Sequence, residues 1–213
     1  DGTLKQNICK DFNWTLLVQR SQATRDRTVD PFTLDEIGLI LKHQHSQEGR
    51  NTIEFMFFTG LRQSEMNGLL WECVDLERGT IEIKQAVVYG EIKQTKTNKG
   101  QRFIDLEPRA LAAIRDQYEY THEESKYVFL DVKTRKPYKN DEALRKKLWV
   151  PILKKADVRY RKPYNMRHTY ACMMISDNRN TFWIADQMGH EDPTMLFRHY
   201  GSYLKDHDKK GQQ

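Results

Sequence analysis

The chain has 213 residues, of which 38% are hydrophobic and 31% charged, and its formal net charge at pH 7 is +5. This length suits one large domain with a short appendage, and no apolar run reaches the roughly 18 residues of a membrane-spanning helix. The three cysteines, Cys9, Cys73 and Cys172, are too few and too far apart for a disulfide framework or a zinc site, so we expect small buried thiols in a reducing cytoplasm.

The first predicted element is a capped helix that follows a polar arm. Residues 1–30 are polar and irregular, and we expect them to form a linker or arm. Thr33 is a good N-cap residue, and Glu36 stands three positions later, as in a capping box. Apolar residues then recur at helical spacing: Leu34, Ile37, Ile40 and Leu41.

Two further helices and a β region come next. Residues 51–59 are strongly apolar and predict a buried helix, which Gly60 ends; Arg62 then begins a helix through Leu70. A β region is predicted next, with a turn at 98–100, over four segments: 80–83, 86–89, 91–95 and 101–106. We interpret this region as a small antiparallel sheet of about three strands.

The second half of the chain is predicted to be helical. Pro108 suits a first turn, Gly189 suits a helix C-cap, and residues 127–130 resemble a short strand. Helices are predicted over 108–120, 140–156, 164–177, 181–188 and 193–199. The expected fold is therefore α+β and mostly α-helical, with the three-stranded sheet inserted after the first helices. The expected organisation is an arm at 1–30, a main domain at 31–203 and a tail at 204–213.

Positive charge is concentrated in one segment. Between Lys133 and His168 there are 13 lysine and arginine residues against three acidic ones, a net +10, which leaves −5 for the rest of the chain. One-sided charge of this kind indicates a surface that faces a polyanion. The alternative is a set of ordinary solvated helix faces.

Five polar residues, taken together, could handle a phosphodiester: Arg62, Lys96, Arg167, His190 and Tyr200. Guanidinium groups hold the negative charge of the phosphoryl oxygens by paired hydrogen bonds. In-line attack needs a nucleophile, and the leaving oxygen needs a proton. A tyrosine nucleophile conserves the bond energy in a phosphoester, so the cut is reversible. These groups are sufficient for covalent cleavage without a metal ion.

Each of these residues also has an ordinary alternative role. Arg62 could simply pair with Glu65 one turn later, or Glu65 could orient it. Lys96 lies at a predicted turn, where lysines are usually solvated; Lys99 competes with it for the acid role, and Lys93 is a weaker candidate. The remaining three could be a surface arginine, a loop histidine and a packing tyrosine.

The short sequence motifs around these residues resemble those of the catalytic domain of the tyrosine recombinases, the phage integrase family. The matching motifs are Thr59-Gly60-Leu61-Arg62-Gln63-Ser64-Glu65, Thr95-Lys96-Thr97, Arg167-His168-Thr169-Tyr170-Ala171, Met188-Gly189-His190 and Tyr200-Gly201. They occur in the family's order, and the resemblance runs from about residue 31 to residue 203. It implies the DNA breaking-rejoining enzyme fold.

The resemblance also implies roles for the five residues. Arg62, Arg167 and His190 would bind the scissile phosphate, Lys96 would protonate the leaving 5′-oxygen, and Tyr200 would attack to give a 3′-phosphotyrosyl link. The neighbouring Tyr203 is a second phenol, but Tyr200 has the spacing of the motif. No cofactor, metal or ATP is implied.

One position departs from the family pattern. Tyr164 stands three residues before the second arginine, where the family usually has a histidine that helps to take the nucleophile's proton. Tyr164 could hydrogen-bond the phosphate or Tyr200, but a phenol is a poor base at neutral pH. The resemblance therefore leaves the route of deprotonation open.

The resemblance implies partners as well. It implies double-stranded DNA carrying attachment sites, a homotetramer on that DNA, a monomer or weak dimer without it, and accessory DNA-bending proteins. The setting would be the cytoplasm, with a bacterial or phage-encoded protein on the nucleoid. The family's N-terminal core-binding domain would precede residue 30, so we expect weak DNA binding without it.

Two other functions are compatible with parts of the sequence. A non-catalytic DNA-binding module would explain the basic segment alone, and a type IB topoisomerase-like enzyme would use the same chemistry to relax strands. A metal-dependent nuclease is disfavoured, because no His, Asp and Glu cluster has ligand spacing.

Overall fold

The computed structural model describes residues 29–94, 101–190, 192, 194–197 and 199–201. The helices are α1 (Leu34–Lys42), α2 (Gln47–Thr59), α3 (Gln63–Asn67), α4 (Pro108–Thr121), α5 (Asp141–Leu144), α6 (Val150–Lys155), α7 (Asn165–Ser176) and α8 (Thr181–Met188). A 3₁₀ turn covers Trp71–Cys73, a π-helical turn, Arg145–Trp149, joins α5 to α6, and residues 194–197 and 199–201 are also helical. The predicted α+β class, mostly helical, is confirmed.

The helix ends predicted in the first 70 residues are found with two exceptions. Helix α2 begins at Gln47, four residues before the predicted start at residue 51, because the Ser46 side chain caps it. The Thr33 hydroxyl accepts from the Glu36 amide at 3.1 Å and the Glu36 carboxylate accepts from the Thr33 amide at 2.9 Å, so the capping box is confirmed. Helix α2 ends at Gly60 in a left-handed conformation (φ 63°). The helix after Arg62 ends at Asn67 instead of Leu70, because the backbone of Leu70 turns away to form a β-bridge with Tyr127.

The strands form two antiparallel sheets. Strands β1 (Val74–Asp75), β2 (Thr80–Ile83) and β5 (Arg102–Asp105) form a three-stranded sheet in the order β1-β2-β5. Strands β3 (Gln85–Val88) and β4 (Glu91–Gln94) form a separate hairpin. The predicted three-stranded sheet is confirmed, but its members differ. β2 alternates between buried and partly buried residues and packs on the core, whereas β4, which pairs with β3, is exposed along its whole length.

Two hydrophobic clusters organise the helices. In the larger cluster, the ring of Phe32 packs edge-on against Phe57 and Trp149, with centroids 5.5 and 5.6 Å apart. Helix α2 lies at the centre of this cluster and packs against α4 and α7, as its apolar sequence predicts. Burial of each such aromatic side chain contributes about 1.5–3 kcal/mol.

The smaller cluster joins α7, α8 and the helical residues that follow. Its largest members are Tyr170, Ile184, Met188, Leu196 and Tyr200. Because α7 contributes to both clusters, it fixes the position of α8 relative to α2. The candidate site lies at this junction.

Several cations of the basic segment, residues 133–168, are engaged in ion pairs. Arg135 pairs with Glu48 and Glu124, and Lys147 pairs with Asp131. Further pairs join Arg159 and Arg161 to Asp30, and Arg145 to Glu142. These pairs fasten the segment to the rest of the domain. The exposed lysines left for a polyanion are Lys133, Lys136, Lys139, Lys154, Lys155 and Lys162.

Several expectations are settled only within the described residues. Cys73 and Cys172 are buried free thiols, as predicted, and Cys9 lies outside the described part. No helix in residues 29–94 or 101–190 is long and apolar enough to cross a bilayer. The turn at 98–100 also lies outside, and the boundaries at residues 30 and 203 stay predictions.

The left-handed backbone at the end of α2 gives a first test. A Cβ added at Gly60 would lie 2.3 Å from Cδ1 of Tyr170, whereas one at Gly79, which is also left-handed, would meet only Leu111 at 3.4 Å. Gly79→Ala should cost about 1–2 kcal/mol of unfolding free energy from backbone strain. Gly60→Ala should cost about 1–3 kcal/mol more, because the Tyr170 ring must move. Urea unfolding of both variants measures the difference, and equal losses would contradict the packing.

Candidate active site

Three consecutive backbone carbonyls at the C-terminal end of α8 each accept a hydrogen bond from a different arginine. The oxygens of Gln187, Met188 and Gly189 accept from Arg102 Nε, Arg167 Nη2 and Arg62 Nη2 at 3.1, 2.7 and 3.2 Å. The last carbonyls of a helix have no intrahelical partner and carry partial negative charge, which favours cations. Gly189 ends α8 in a left-handed conformation (φ 65°), as predicted. Arg62 and Arg167 are thereby brought to one place.

A buried carboxylate holds two of these arginines. Glu65 accepts from Arg62 Nη1 at 2.9 Å and, through both oxygens, from Arg102 at 3.1 and 3.0 Å. Burial raises the pKa of Glu65, but the hydrogen bonds and charge of Arg102, followed by the charge of Arg62, outweigh it and lower the pKa to about 2. Glu65 is therefore ionised and fixes the arginines.

The same carboxylate also engages the backbone at the N-terminus of α3. Arg62 is the N-cap residue of α3, and its own amide donates to Glu65 Oε2 at 3.0 Å. That amide is therefore not free for an anion. The Arg62 side chain pairs with Glu65 yet stays 44% exposed. Glu65 can therefore both pair with Arg62 and orient it, so the two alternatives for this pair are compatible.

Arg167 is a buried residue and not the surface arginine that was its alternative. It is 2% exposed, and its Nη1 donates to the carbonyl of Gly60 at 2.5 Å, so it bridges the ends of α2 and α8. Burial and then the positive charge of Arg62 lower its pKa. Its Nε has no hydrogen-bond partner among the described residues. Two neighbouring guanidiniums with donors to spare favour an anion between them.

His190 follows the end of α8 and is half-buried beside the arginines. Its amide donates to the carbonyl of Ala185 at 2.9 Å, and its Nδ1 is buried without a partner in the described part of the chain. Burial, then the charges of Arg167 and Arg62, lower its pKa to about 4. The ring is neutral at neutral pH, and a nearby anion would raise its pKa.

Tyr200 is buried, and its hydroxyl contacts His168, a residue to which the sequence motifs gave no role. The hydroxyl lies 2.7 Å from Nδ1 of His168, with ring centroids 5.6 Å apart. Burial raises the pKa of Tyr200, although the charge of Arg167 opposes this. The sequence signal was present, because His168 directly follows Arg167 in its motif. Tyr203 lies outside the described residues.

Tyr164 lies at the start of α7, beside His168. It is 53% exposed at the N-cap of α7, and its ring packs edge-on against His168 with centroids 4.9 Å apart. With Arg167 it lines a cavity of about 480 Å³, whose other polar lining includes Arg145, Tyr160 and Lys162. The His168 ring thus contacts both Tyr164 and Tyr200.

The predicted acid is Lys96, with Lys99 and Lys93 as the alternatives. Lys96 and Lys99 lie outside the described residues, and Lys93 is exposed on β4. The chain therefore brings Arg62, Arg167 and His190 together and places Tyr200 against the same helix, α7. Among the described residues no group of three or more His, Cys, Asp or Glu side chains could hold a metal ion. This arrangement can bind an anion and present a phenol near it.

Comparison with known sequences gives one family. The sequence profile described as the phage integrase family matches residues 30–207. The prophage integrase IntR of Escherichia coli strain K12 is 30% identical over 200 residues, which cover 83% of this chain and 48% of IntR. The tyrosine recombinase XerC of Chlorobaculum tepidum is 26% identical over 163 residues, which cover 70% of this chain and 44% of XerC. The chain spans about half the length of these curated relatives.

Comparison with solved structures gives the same fold. The Tn1549 transposon integrase in complex with circular intermediate DNA superposes with a TM-score of 0.72 at 18% identity, covering 93% of this chain and 71% of that one. XerA recombinase gives a TM-score of 0.69 at 17% identity, covering 86% of this chain and 64% of that one. The predicted catalytic-domain fold is confirmed.

The buried carboxylate makes a prediction about acid stability. Because the folded pKa of Glu65 is about 2 and its ordinary value is 4.5, its stabilisation is full above pH 4.5 and is lost as pH falls towards 2. That contribution is on the order of 3 kcal/mol. Glu65→Gln should remove it, and it should leave the buried Arg102 without a charge partner. Urea unfolding at pH 7, 4.5 and 3 should show a less stable variant whose stability changes less below pH 4.5.

An exposed pair provides the control. Glu124 also carries a lowered pKa through its hydrogen bond with Arg135, but it lies at the surface. Glu124→Gln should therefore change stability far less, because solvent screens exposed ion pairs. Parallel pH profiles for wild type and Glu65→Gln would show that the carboxylate is not ionised by its arginines.

Proposed function

Because this chain belongs to the phage integrase family, we propose that it carries out site-specific DNA recombination by cutting and rejoining strands through a covalent tyrosine link. The proposal extends to this chain what the names of its relatives say of prophage integrases and tyrosine recombinases. It concerns the activity of relatives of which this chain spans about half the length.

One observation carries the proposal. The guanidiniums of Arg62 and Arg167 lie close enough for the charge of Arg62 to lower the pKa of Arg167, and two buried polar atoms beside them, Arg167 Nε and His190 Nδ1, have no partner among the described residues. A phosphate would accept from these donors and offset the repulsion between the charges. The donors are fixed before any ligand arrives, since helix carbonyls and Glu65 hold both arginines in place.

The reaction follows from this binding. Arg62, Arg167 and His190 hold the non-bridging oxygens of the scissile phosphate, and the oxygen of Tyr200 attacks phosphorus. The bond to the 5′-oxygen breaks, Lys96 supplies the proton that this oxygen needs, and a 3′-phosphotyrosyl link remains. The 5′-hydroxyl of a second strand reverses the step. No metal ion or ATP enters, because the arginines supply the charge and the phosphotyrosine keeps the bond energy.

The partners follow from the substrate. Solved neighbours include a transposon integrase with its circular intermediate DNA and a lambda integrase dimer bound to a core site. For this chain we propose double-stranded DNA with attachment sites, a homotetramer on that DNA, accessory bending proteins and a place on the nucleoid. The cavity beside Arg167 is lined by aromatic and cationic side chains and also by Asp141 and Glu142. Its aromatic and cationic groups suit the nucleotide next to the bound phosphate.

A nicked suicide substrate tests the covalent step. At low salt, where phosphate contacts contribute most, the wild-type chain should form a covalent DNA adduct. Tyr200→Phe should form none, because it lacks the attacking oxygen. Arg62→Ala should slow adduct formation roughly 100-fold or more, whereas Arg78→Ala, which removes an exposed arginine outside the site, should stay within a few-fold.

The outcomes separate the competing functions. DNA binding without any adduct would indicate a non-catalytic module. An adduct on any sequence, together with supercoil relaxation, would indicate a topoisomerase-like activity. Equal rates of adduct formation for Arg62→Ala and Arg78→Ala would show that Arg62 takes no part in cleavage.

The acid is tested with a modified leaving group. Lys96→Ala should slow cleavage of an ordinary substrate, and a 5′-phosphorothiolate substrate should restore the rate, because a thiolate leaves without a proton. Lys99→Ala is the matched control and should need no such rescue. If the thiolate rescues Lys99→Ala instead, the acid is Lys99; if it rescues neither variant, the acid lies elsewhere.

A further inference from the structure

We propose that His168 is the catalytic base, which accepts the proton of the Tyr200 hydroxyl through Nδ1 as that oxygen attacks phosphorus. The two atoms already lie 2.7 Å apart, within hydrogen-bond reach of a proton transfer. This inference rests on the proposed function, since it supplies the proton acceptor for the same reaction.

The burial of the hydroxyl fixes the direction of this hydrogen bond. The Tyr200 side chain is 2% exposed, and within the described part of the chain Nδ1 of His168 is the hydroxyl's only hydrogen-bond partner. If Nδ1 carried the ring proton and donated it, the phenol proton would be buried without an acceptor, which is unfavourable. The favoured arrangement has the phenol donating and the ring proton on Nε2. The lone pair of Nδ1 then points at the oxygen that reacts.

The surroundings keep the imidazole neutral and therefore able to accept. Burial, then the charges of His199 and Arg167, lower the pKa of His168 to about 4. The charged and titratable groups around the ring are Tyr164 and Arg167 on α7, and His199 and Tyr200 on the facing segment. A phosphate bound at Arg167 would offset the arginine's charge, so the ring would become more basic when substrate is present.

Neighbouring groups fit other roles. The exposed Tyr164 packs edge-on against the His168 ring and so fixes the plane of the imidazole, which makes it a positioning residue. His190 makes no side-chain hydrogen bond with Tyr200, and its Nδ1 is buried beside the arginines. His168 is the described imidazole that touches the reacting oxygen.

The proton balance closes without another reactant. In cleavage, the bond from the Tyr200 oxygen to phosphorus forms, the bond from phosphorus to the 5′-oxygen breaks, and the phenol proton moves to Nδ1 of His168. The leaving oxygen takes its proton from Lys96. In rejoining, each proton returns: the attacking 5′-hydroxyl gives one to Lys96, and the departing tyrosine takes one from His168.

The decisive experiment combines a histidine variant with a more acidic nucleophile. His168→Asn keeps a hydrogen-bonding amide near the Nδ1 position but cannot take a proton, so adduct formation on the suicide substrate should slow roughly 100-fold. Incorporating fluorinated tyrosine at position 200 makes the phenol more acidic and should recover most of that loss. A purely structural role for His168 would not be rescued in this way. His199→Asn, which changes the exposed neighbouring histidine, should stay within a few-fold of wild type.

A second measurement does not depend on DNA. Nitrogen-15 NMR of the imidazole groups should show His168 neutral at neutral pH, protonated on Nε2 and unprotonated on Nδ1. A proton on Nδ1 would overturn the proposal, and so would wild-type cleavage by His168→Asn or no recovery with fluorotyrosine.

The controls separate this inference from the proposed function. If wild type forms an adduct that Tyr200→Phe lacks, and His168→Asn cleaves normally, only the role of His168 fails. If wild type and Tyr200→Phe are both inert, the proposed function fails, and the proposed role of His168 fails as well.

Discussion

The candidate site depends on the free carbonyl oxygens at the end of one short helix. Helix α8 ends in a left-handed glycine, so the carbonyls of residues 187–189 remain open, and each accepts from an arginine of a different element. The negative end of the helix dipole stabilises the three positive charges. Cations from the N-cap of α3, from β5 and from α7 are thus assembled around three backbone carbonyls.

This assembly leaves a surplus of positive charge. Glu65 neutralises part of it, and its ionisation is secured by the arginines that it holds. Arg62 keeps an exposed face, and Arg167 keeps a buried donor without a described partner. A site built in this way is rigid before its ligand binds, and fixed donors stabilise developing negative charge with little reorganisation.

The division into two hydrophobic clusters separates the tasks of the site. The larger cluster holds α2, whose end positions Gly60 and Arg62, while the smaller cluster buries Tyr200 and the end of α8. Helix α7 runs through both and carries Arg167, which is bonded to the ends of α2 and α8, and His168, which is bonded to Tyr200. Anion binding and the nucleophile are therefore aligned by one helix, and packing changes on either side of α7 would act on both.

The sequence by itself determined the local features of this protein. The capping box at Thr33, the buried α2 and the left-handed glycines that end α2 and α8 all follow from residues within about one or two helical turns of each other. The motif order also identified the family and the residues worth examining. Such patterns report the preferences of neighbouring residues and carry no information on distant partners.

Only the tertiary structure decided which groups meet. Arg62 bonds a carbonyl 127 positions away, the sheet takes Val74–Asp75 in place of the β3–β4 hairpin, and Tyr200 meets His168 rather than Tyr164. The contacts of Arg62 and Tyr200 depend on how α7 and α8 pack against the rest of the chain, because a hydrogen bond between distant residues forms only after hydrophobic burial has brought their backbones together.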